Sequence, residues 1–171
     1  KTTATAGSTQ ENFGPEKALD NNMGTWWHSS WNPEGGSLAE NLRWFQLELE
    51  EQQAVTKLIY TPKNGNTQDG GEKNGAVTKY RVECSMDGNA WEVVSTGNWD
   101  KDNADWQLAL FNKPVKARYV RLTGVHTYAD SGNDAHMSAS ELRVRTTDAA
   151  VDPEPQPGKT EIYDPYAERR C

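Results

Sequence analysis

Residues 19–31 place oxygen-bearing side chains directly before an aromatic stretch that contains one imidazole. Asp20 offers a carboxylate, and Thr25 offers a hydroxyl and a carbonyl. The Asn-Asn-Met-Gly sequence between them can turn sharply enough to direct carbonyls inward. Such oxygens suit a hard cation such as Ca²⁺. His28 and Trp31 follow, and a sugar ring is held by an aromatic surface beside a few hydrogen-bonding groups. The segment therefore predicts adjoining sites for a cation and a carbohydrate.

The elements that must position these residues are predicted to be antiparallel β-strands. Apolar and polar residues alternate with period two, and turn residues separate the runs. The Asp87-Gly88 pair is typical of a hairpin turn. Only residues 15–19 favour a helical turn. The predicted strands are 43–50, 55–61, 77–85, 91–96, 106–111, 118–122 and 141–145.

The composition limits the classes of protein. A chain of 171 residues suits one well-buried domain with a tail. Its net charge of -7 argues against nucleic acid or an anionic lipid surface as a partner. Because there is no run of about 18 apolar residues, we expect no membrane insertion. The first eight residues lack the apolar segment of a secretion signal, so we expect a mature or excised piece. Cys84 and Cys171 are too few for a disulfide framework.

A change in composition near Thr147 predicts the domain boundary. Residues 1–147 form the expected β-domain. Residues 148–171 form a Pro-rich linker and tail, in which proline occupies every second position from 153 to 157. Residues 159–171 fit either the start of a following module or a strap lying on this one. The polar segments 63–76 and 126–138 are long enough to be functional loops.

Six ordered motifs carry a resemblance to a known family. They are Ala18-Leu19-Asp20-x-Asn22-x-x-Thr25-x-Trp27-His28-Ser29-x-Trp31, Tyr60-x-Pro62, Asn74-Gly75-x-Val77-x-x-Tyr80, Ser85-x-Asp87-Gly88-x-x-Trp91, Ala117-Arg118-Tyr119-Val120-Arg121-Leu122 and Ser138-Ala139-Ser140-Glu141-Leu142. The chain resembles the coagulation factor 5/8 type C (discoidin) family. Within that family it is similar to the family 32 carbohydrate-binding modules of bacterial secreted glycosidases. The resemblance implies an antiparallel β-sandwich of the jelly-roll, galactose-binding-domain-like type, with ligand specificity carried by loops at one end.

The resemblance also implies the ligands of a structural Ca²⁺ site. Backbone oxygens come from Lys17, Asn22, Thr25 and Ser140, and side-chain oxygens come from Asp20, Thr25 and Glu141. The alternative is that Asp20 caps a turn and Glu141 lies on a solvated strand.

The residues that the resemblance implies for the sugar include two departures from the family. His28 and Trp31 match the imidazole and the aromatic wall, and Asn74 matches the family's asparagine. The family's arginine is Lys63 here, a point donor without a planar fork. The family's second aromatic position is His136, for which Tyr128 in the same loop is a substitute.

For several of these residues a purely structural role is an alternative to ligand binding. His28 could be a buried, satisfied core histidine, which is the main rival to a sugar contact. Trp27 is assigned to the core and Trp26 is left open. Trp91, Trp99 and Trp106 are assigned to packing.

No motif predicts catalysis. A glycosidase needs two carboxyl groups facing each other across a cleft, and the acidic residues here fall on wet strand faces and in loops. Gly-x-Ser-x-Gly and His-Glu-x-x-His sequences are absent from the chain. We therefore expect a non-catalytic, monomeric module of a larger enzyme, secreted or at the bacterial cell surface. It would recognise terminal galactose-type sugars such as galactose, GalNAc or LacNAc-like glycans, and it would target the attached glycosidase to its substrate. The alternatives are a discoidin-type module for a protein or phospholipid partner, and a small hydrolase.

Overall fold

A computed structural model describes residues 1–32, 34–63 and 73–148 as an antiparallel β-domain. Over those ranges the helical structure consists of two short 3-10 helices, Pro15–Ala18 and Glu40–Leu42. No helix in the described residues is long and apolar enough to cross a membrane. The strands are β1 (Thr3–Ala6), β2 (Trp27–His28), β3 (Trp44–Thr61), β4 (Ala76–Ser85), β5 (Glu92–Asn98), β6 (Gln107–Tyr128), β7 (Ser138–Ala139) and β8 (Glu141–Thr147).

The two longest strands, β3 and β6, each contribute to both layers of the sandwich. The first half of β3 pairs with β1 and with the end of β6, whereas its second half pairs with β8 and with the start of β6. Pairing register shifts between Glu48 and Gln53 and again between Val55 and Lys57, where the strand changes layer. β4 and β5 continue the first layer beyond β6. Because both layers use the same two strands, they are covalently continuous.

The core lies between the layers and is rich in aromatic side chains. Trp99 stacks on Tyr60 of β3 and on Tyr80 of β4, with ring centroids 4.8 and 4.2 Å apart. Trp27 is fully buried and packs edge-on against Phe45 at 5.1 Å. The core assignments of Trp27 and Trp99 are therefore confirmed. The assignment of Trp106 to packing is wrong, because its side chain is 60% exposed.

A buried guanidinium holds together the loops at one end of the domain. Arg43 donates to the carbonyls of Leu38, Gly124, Val125 and Asp134 at 2.6 to 3.1 Å. These carbonyls belong to three separate segments, so one cation fixes the 124–134 region relative to β3. Backbone oxygens carry partial negative charge and solvate the buried cation.

The predicted antiparallel all-β architecture is confirmed, and the 15–19 turn is a 3-10 helix. The 43–50 and 55–61 strands are one continuous strand, as are the 106–111 and 118–122 strands. The short strands β1, β2 and β7 were not predicted. Residues 64–72 and the tail 149–171 lie outside the described residues, so the boundary near Thr147 stays a prediction.

Candidate functional site

A two-stranded ribbon joins the first functional loop to the last strands of the chain. β2 pairs with β7, so that Trp27 lies opposite Ala139 and His28 lies opposite Ser138. Ser29 extends this ribbon, since its N–H donates to the Met137 carbonyl at 2.8 Å and its hydroxyl accepts from the Met137 N–H at 2.8 Å. The ribbon brings residues more than 100 positions apart into one site.

Six residues predicted to bind a cation form a group that we call the oxygen cluster. Its members are Lys17, Asp20, Asn22, Thr25, Ser140 and Glu141.

The Thr25 hydroxyl lies at the centre of the oxygen cluster. It contacts an Asp20 carboxylate oxygen, and it lies 3.0 Å from the Asn22 carbonyl and 3.4 Å from the Lys17 carbonyl. The Ser140 hydroxyl donates to the Met23 carbonyl of the same turn at 3.4 Å. One hydroxyl proton can serve only one of three surrounding acceptors well, so the cluster holds more oxygen acceptors than donors.

Glu141 adds a second carboxylate to the oxygen cluster. Its residue is 3% exposed, and its Oε1 atom is buried with no hydrogen-bond partner in the described part of the chain. Burial raises the pKa of Glu141, and a hydrogen bond with Asp20 raises it as well, while Arg143 and the Asn21 N–H lower it. Arg143 Nε lies 3.4 Å from the other Glu141 oxygen and balances one of the two charges. A second negative charge and the unsatisfied Oε1 remain, and both favour a bound cation.

This donor set fits Ca²⁺ better than a transition metal. The described residues contain no group of three His, Cys, Asp or Glu side chains that could hold a metal. Zinc and similar ions need such side chains, whereas Ca²⁺ accepts carbonyl and hydroxyl oxygens with one or two carboxylates. The oxygen cluster offers that mixture, and the orphaned Glu141 oxygen is buried within it.

Beside the oxygen cluster, five rings form a group that we call the aromatic patch: Phe13, Trp26, His28, Trp31 and His136. Phe13 is its hub, since its centroid lies 5.4 Å from Trp26, 6.2 Å from His28 and 6.3 Å from Trp31. Trp26, left open by the sequence, is buried. Trp31 is 45% exposed and therefore supplies the accessible indole of the patch.

His28 lies at the base of the aromatic patch. It is only 1% exposed, and its Nδ1 is 2.7 Å from the Ser29 carbonyl. Because a carbonyl only accepts, Nδ1 carries a proton. The His28 ring meets Trp31 edge-on at 6.3 Å and His136 at 5.1 Å. His28 therefore has the burial that the core-histidine reading expects, while it also touches the exposed Trp31.

The remaining predicted sugar residues lie around this patch at different depths. Lys63 is buried, with its Nζ 5.7 Å from the centre of the Trp26 ring. Asn74 is buried too, and its side-chain oxygen accepts the Asp130 N–H at 2.7 Å. The Ser138 hydroxyl donates to the Asn74 carbonyl at 2.7 Å, which connects Asn74 to the β2–β7 ribbon.

Tyr128 belongs to the outer part of this end of the domain. Its hydroxyl donates to Asp130 at 2.9 Å, and the Lys101 Nζ lies 5.1 Å from its ring centre. The hydrogen bond to Asp130 raises the pKa of Tyr128. Asp130 therefore connects Tyr128 to Asn74 by hydrogen bonds. Among the described residues, no ring contact joins Tyr128 to the aromatic patch.

Sequence reasoning missed Phe13 and Gln10. The Gln10 and Phe13 backbones bond to His28 at 2.9 and 3.1 Å, and the Gln10 side-chain oxygen accepts the Trp31 N–H at 2.9 Å. A lone Phe in a Gly- and Asn-rich segment shows no periodicity, so only the tertiary pairing reveals its role.

Comparison with known proteins agrees with the fold and with the motifs. The model of the F5/8 type C domain matches residues 3–142. Galactose oxidase from Gibberella zeae is 28% identical over 156 residues, which cover 91% of this chain and 21% of that protein. The chain therefore spans about a fifth of the length of this curated relative.

Similar solved structures come from Clostridium perfringens. The CBM32-5 module of CpGH89, solved in complex with GalNAc-β-1,3-galactose, is 32% identical with a TM-score of 0.68, and the match covers 84% of this chain and 94% of that one. CBM32-3 from a family 31 glycoside hydrolase is 27% identical with a TM-score of 0.69, over 85% and 88% of the two chains. The fold predicted from the sequence, an antiparallel β-sandwich, is the one these modules share with the chain. Since the family model covers most of the sequence in the predicted order, the chain belongs to the F5/8 type C domain family.

Proposed function

We propose that the chain is a non-catalytic carbohydrate-binding module for terminal galactose-type sugars: galactose, GalNAc or LacNAc-like glycans. The single observation that carries this proposal is the exposed Trp31 indole, held against Phe13 and His28 at the loop end of the sandwich. The relative CBM32-5, 32% identical, is solved with a GalNAc-galactose disaccharide, which supports the same ligand class.

Trp31 is the primary contact in this proposal. The apolar C–H face of a galactose ring stacks on an indole, and this contact removes apolar surface of both partners from water. The Trp31 backbone N–H donates to the Gln10 side-chain oxygen, so the indole can change rotamer without breaking that bond. Side-chain rotamer changes on binding are common.

His28 supplies the polar contact at the base of the aromatic patch. Its Nδ1 proton is directed at the Ser29 carbonyl. In the neutral imidazole the other nitrogen, Nε2, is an acceptor and receives a sugar hydroxyl. Lys63 and Asn74 complete the polar side of the site, and His136 packs against His28 in place of a second aromatic wall.

Ca²⁺ has a structural role in the proposal. The oxygen cluster would hold the ion through the Lys17, Asn22, Thr25 and Ser140 oxygens and the Asp20 and Glu141 carboxylates. When bound, the ion neutralises the two carboxylates, and its binding free energy adds to the stability of the fold. The oxygen cluster joins the first loop to Glu141 at the start of β8. Its last residue in that loop, Thr25, is three residues before His28, the proposed sugar contact.

The module increases the local concentration of an attached secreted glycosidase on its substrate. A single-site Kd of about 0.1–1 mM, or about 4–5.5 kcal/mol, suffices for tethering. We infer a monomeric module within a multidomain protein that acts outside the cell or at the bacterial surface. Both inferences rest on the relatives being modules of glycoside hydrolases.

The test compares two exposed tryptophans. Trp31→Ala is expected to weaken galactose binding about tenfold or more, as measured by calorimetric titration, with an unchanged melting temperature. Trp106→Ala is the matched control, because Trp106 is 60% exposed and lies outside the aromatic patch. Equal affinity of both variants would contradict the proposed site.

A further inference from the structure

A cleft of about 330 Å³ lies at the end of the sandwich opposite the aromatic patch. It opens between the turn that joins β4 to β5 and residues 115–116 of β6. Strand β4 connects the two ends, since Ala76 pairs with Tyr128 near the patch and Ser85 pairs with Tyr119 near the cleft. Ten strand residues span about 30 Å, so the two sites cannot share one sugar ring.

The walls of the cleft are apolar and include one indole. Trp91, Ala90 and Val115 line it, together with Met86, which is 46% exposed. The floor includes the buried Cys84, whose pKa is raised to about 12 by burial and by the Glu92 charge, so the thiol stays neutral. The size is at the lower end of the range for small-molecule pockets.

The Trp91 indole is fixed before any ligand arrives. One guanidinium, that of Arg121, lies 4.3 Å from the ring centres of both Trp91 and Trp44. The Gln46 side-chain oxygen accepts from Arg121 Nε at 3.0 Å and Nη2 at 2.7 Å. Tyr119 meets Trp91 edge-on at 6.5 Å. A pre-positioned aromatic ring loses little conformational entropy when a ligand packs against it.

The rim of the cleft provides hydrogen-bonding groups of mixed charge. Asp87, Glu92 and Lys116 all line it. The Ala90 and Asn89 N–H groups lower the pKa of Asp87, which is therefore ionised at neutral pH. Two carboxylates and one ammonium line the cleft, and the Arg121 guanidinium lies against Trp91, so these charges balance. The cleft therefore has no excess positive charge to attract phosphates, sulfates or uronic acids. Carboxylates and ammonium groups bond well to hydroxyls.

We propose that this cleft is a second carbohydrate subsite, for a neutral hexose, with Trp91 and Met86 against the ring and Glu92 and Lys116 on its hydroxyls. An apolar wall beside carboxylate and ammonium groups is the chemistry that a neutral polyol with an apolar face requires. This subsite goes beyond the proposed function and does not depend on it. With binding at both ends, one module links two glycan termini, and its avidity on a dense glycan surface rises accordingly.

The three methionines can serve as separate NMR probes of the cleft, the aromatic patch and the oxygen cluster. Met86 lines the cleft, Met137 is buried beside Ser29 under the aromatic patch, and Met23 belongs to the turn of the oxygen cluster. We would label the methionine methyl groups with ¹³C in the full chain and titrate galactose, glucose and N-acetylglucosamine by NMR. A saturable shift of Met86 with at least one of these hexoses is expected.

Variants separate the cleft from the aromatic patch. In Trp31→Ala the Met137 response should disappear while the Met86 response persists. In the Glu92→Gln, Lys116→Ala double variant the affinity reported by Met86 should fall about tenfold, which corresponds to about 1.4 kcal/mol, with Met137 unaffected. Both substituted residues are exposed, so the variant folds.

The outcomes against the subsite are equally distinct. The proposed subsite would be overturned if the Met86 methyl signal did not shift at sugar concentrations that saturate the shift of the Met137 signal. A Met86 shift caused by a lysine-rich peptide and by none of the hexoses would also overturn it. If Met86 responds and Met137 does not, the subsite stands and the proposed function fails.

Discussion

Replacing Glu141 with Gln gives the sharpest test of the proposed cation, because the sign of its effect depends on whether Ca²⁺ is present. In the metal-free protein the Glu141 carboxylate is buried beside Asp20, with one oxygen lacking a partner. Gln has the same shape without the charge. The Gln amide can donate to the Asp20 carboxylate, which removes the repulsion between two neighbouring carboxylates. The contact that is lost, from Arg143 Nε at 3.4 Å, is partly exposed on the arginine side and contributes little. Glu141→Gln should therefore match or exceed the wild-type stability in chelator.

With Ca²⁺ bound, the wild type should be more stable than the Glu141→Gln variant. At a concentration about 100 times its Kd, a ligand stabilises the folded state by about 2.7 kcal/mol. For a chain of this size 1 kcal/mol corresponds to about 2–4 °C, so the wild-type melting temperature should rise by about 5–11 °C. Glu141→Gln should lose most of that rise, because one of the two carboxylates is gone.

The assay is thermal unfolding followed by circular dichroism, in chelator and in millimolar CaCl₂. Glu83→Gln is the matched control, since Glu83 is paired with Arg81 on the outer face of β4 and is far from the oxygen cluster. It should keep the full Ca²⁺ response. A Ca²⁺-independent melting temperature of the wild type, or a Glu141→Gln variant that responds as the wild type does, would refute the reasoning.

Three further predictions concern the loop end of the domain. Gly75 has φ +86°, and a Cβ there would lie 2.5 Å from the Ser138 hydroxyl oxygen, whereas Gly35 has φ +77° and open space around it. Gly35→Ala should cost about 1–2 kcal/mol from backbone strain alone. Gly75→Ala should cost about 1–3 kcal/mol more from the clash, measured by urea unfolding; equal losses would show that Ser138 moves aside freely. Tyr60→Phe removes a buried hydroxyl that donates to the Ser138 carbonyl at 2.8 Å, and it should destabilise the fold by about 1–3 kcal/mol in the same assay. Galactose affinity should weaken between about pH 8 and 5 as the His28 imidazole becomes protonated and can no longer accept a hydroxyl; a flat calorimetric profile would exclude that role.

The sequence predicted the strands in which apolar and polar residues alternate strictly. It did not predict the strands whose existence or length depends on pairing with distant parts of the chain. Period two located the two halves of β3, but it could not show that the halves form one strand, because the polar run between them is also what a turn looks like. β2 and β7 are two residues long, and pairing across more than 100 residues creates them.

Within the site, the resemblance to the family implied the residues of the oxygen cluster, and their role as ligands stays a prediction. Four of them, Lys17, Asp20, Asn22 and Thr25, are close in sequence and meet around the Thr25 hydroxyl. Burial was harder to predict. Nothing local indicates that His28 is almost fully covered while Trp31, three residues later, is half exposed. Phe13 contacts both rings from a segment without any pattern of its own, and β7 and His136 also cover His28.

The pairing of β1 and β8 with the same strand has a mechanical consequence. Thr3 lies opposite Glu48 and Thr147 lies opposite Ala54, so both outer strands leave β3 at its bend, away from the β2–β7 ribbon. A force applied through the two ends of the described domain would enter and leave near that bend. The ribbon, with its aromatic rings and oxygens, would lie outside the direct line between those two points.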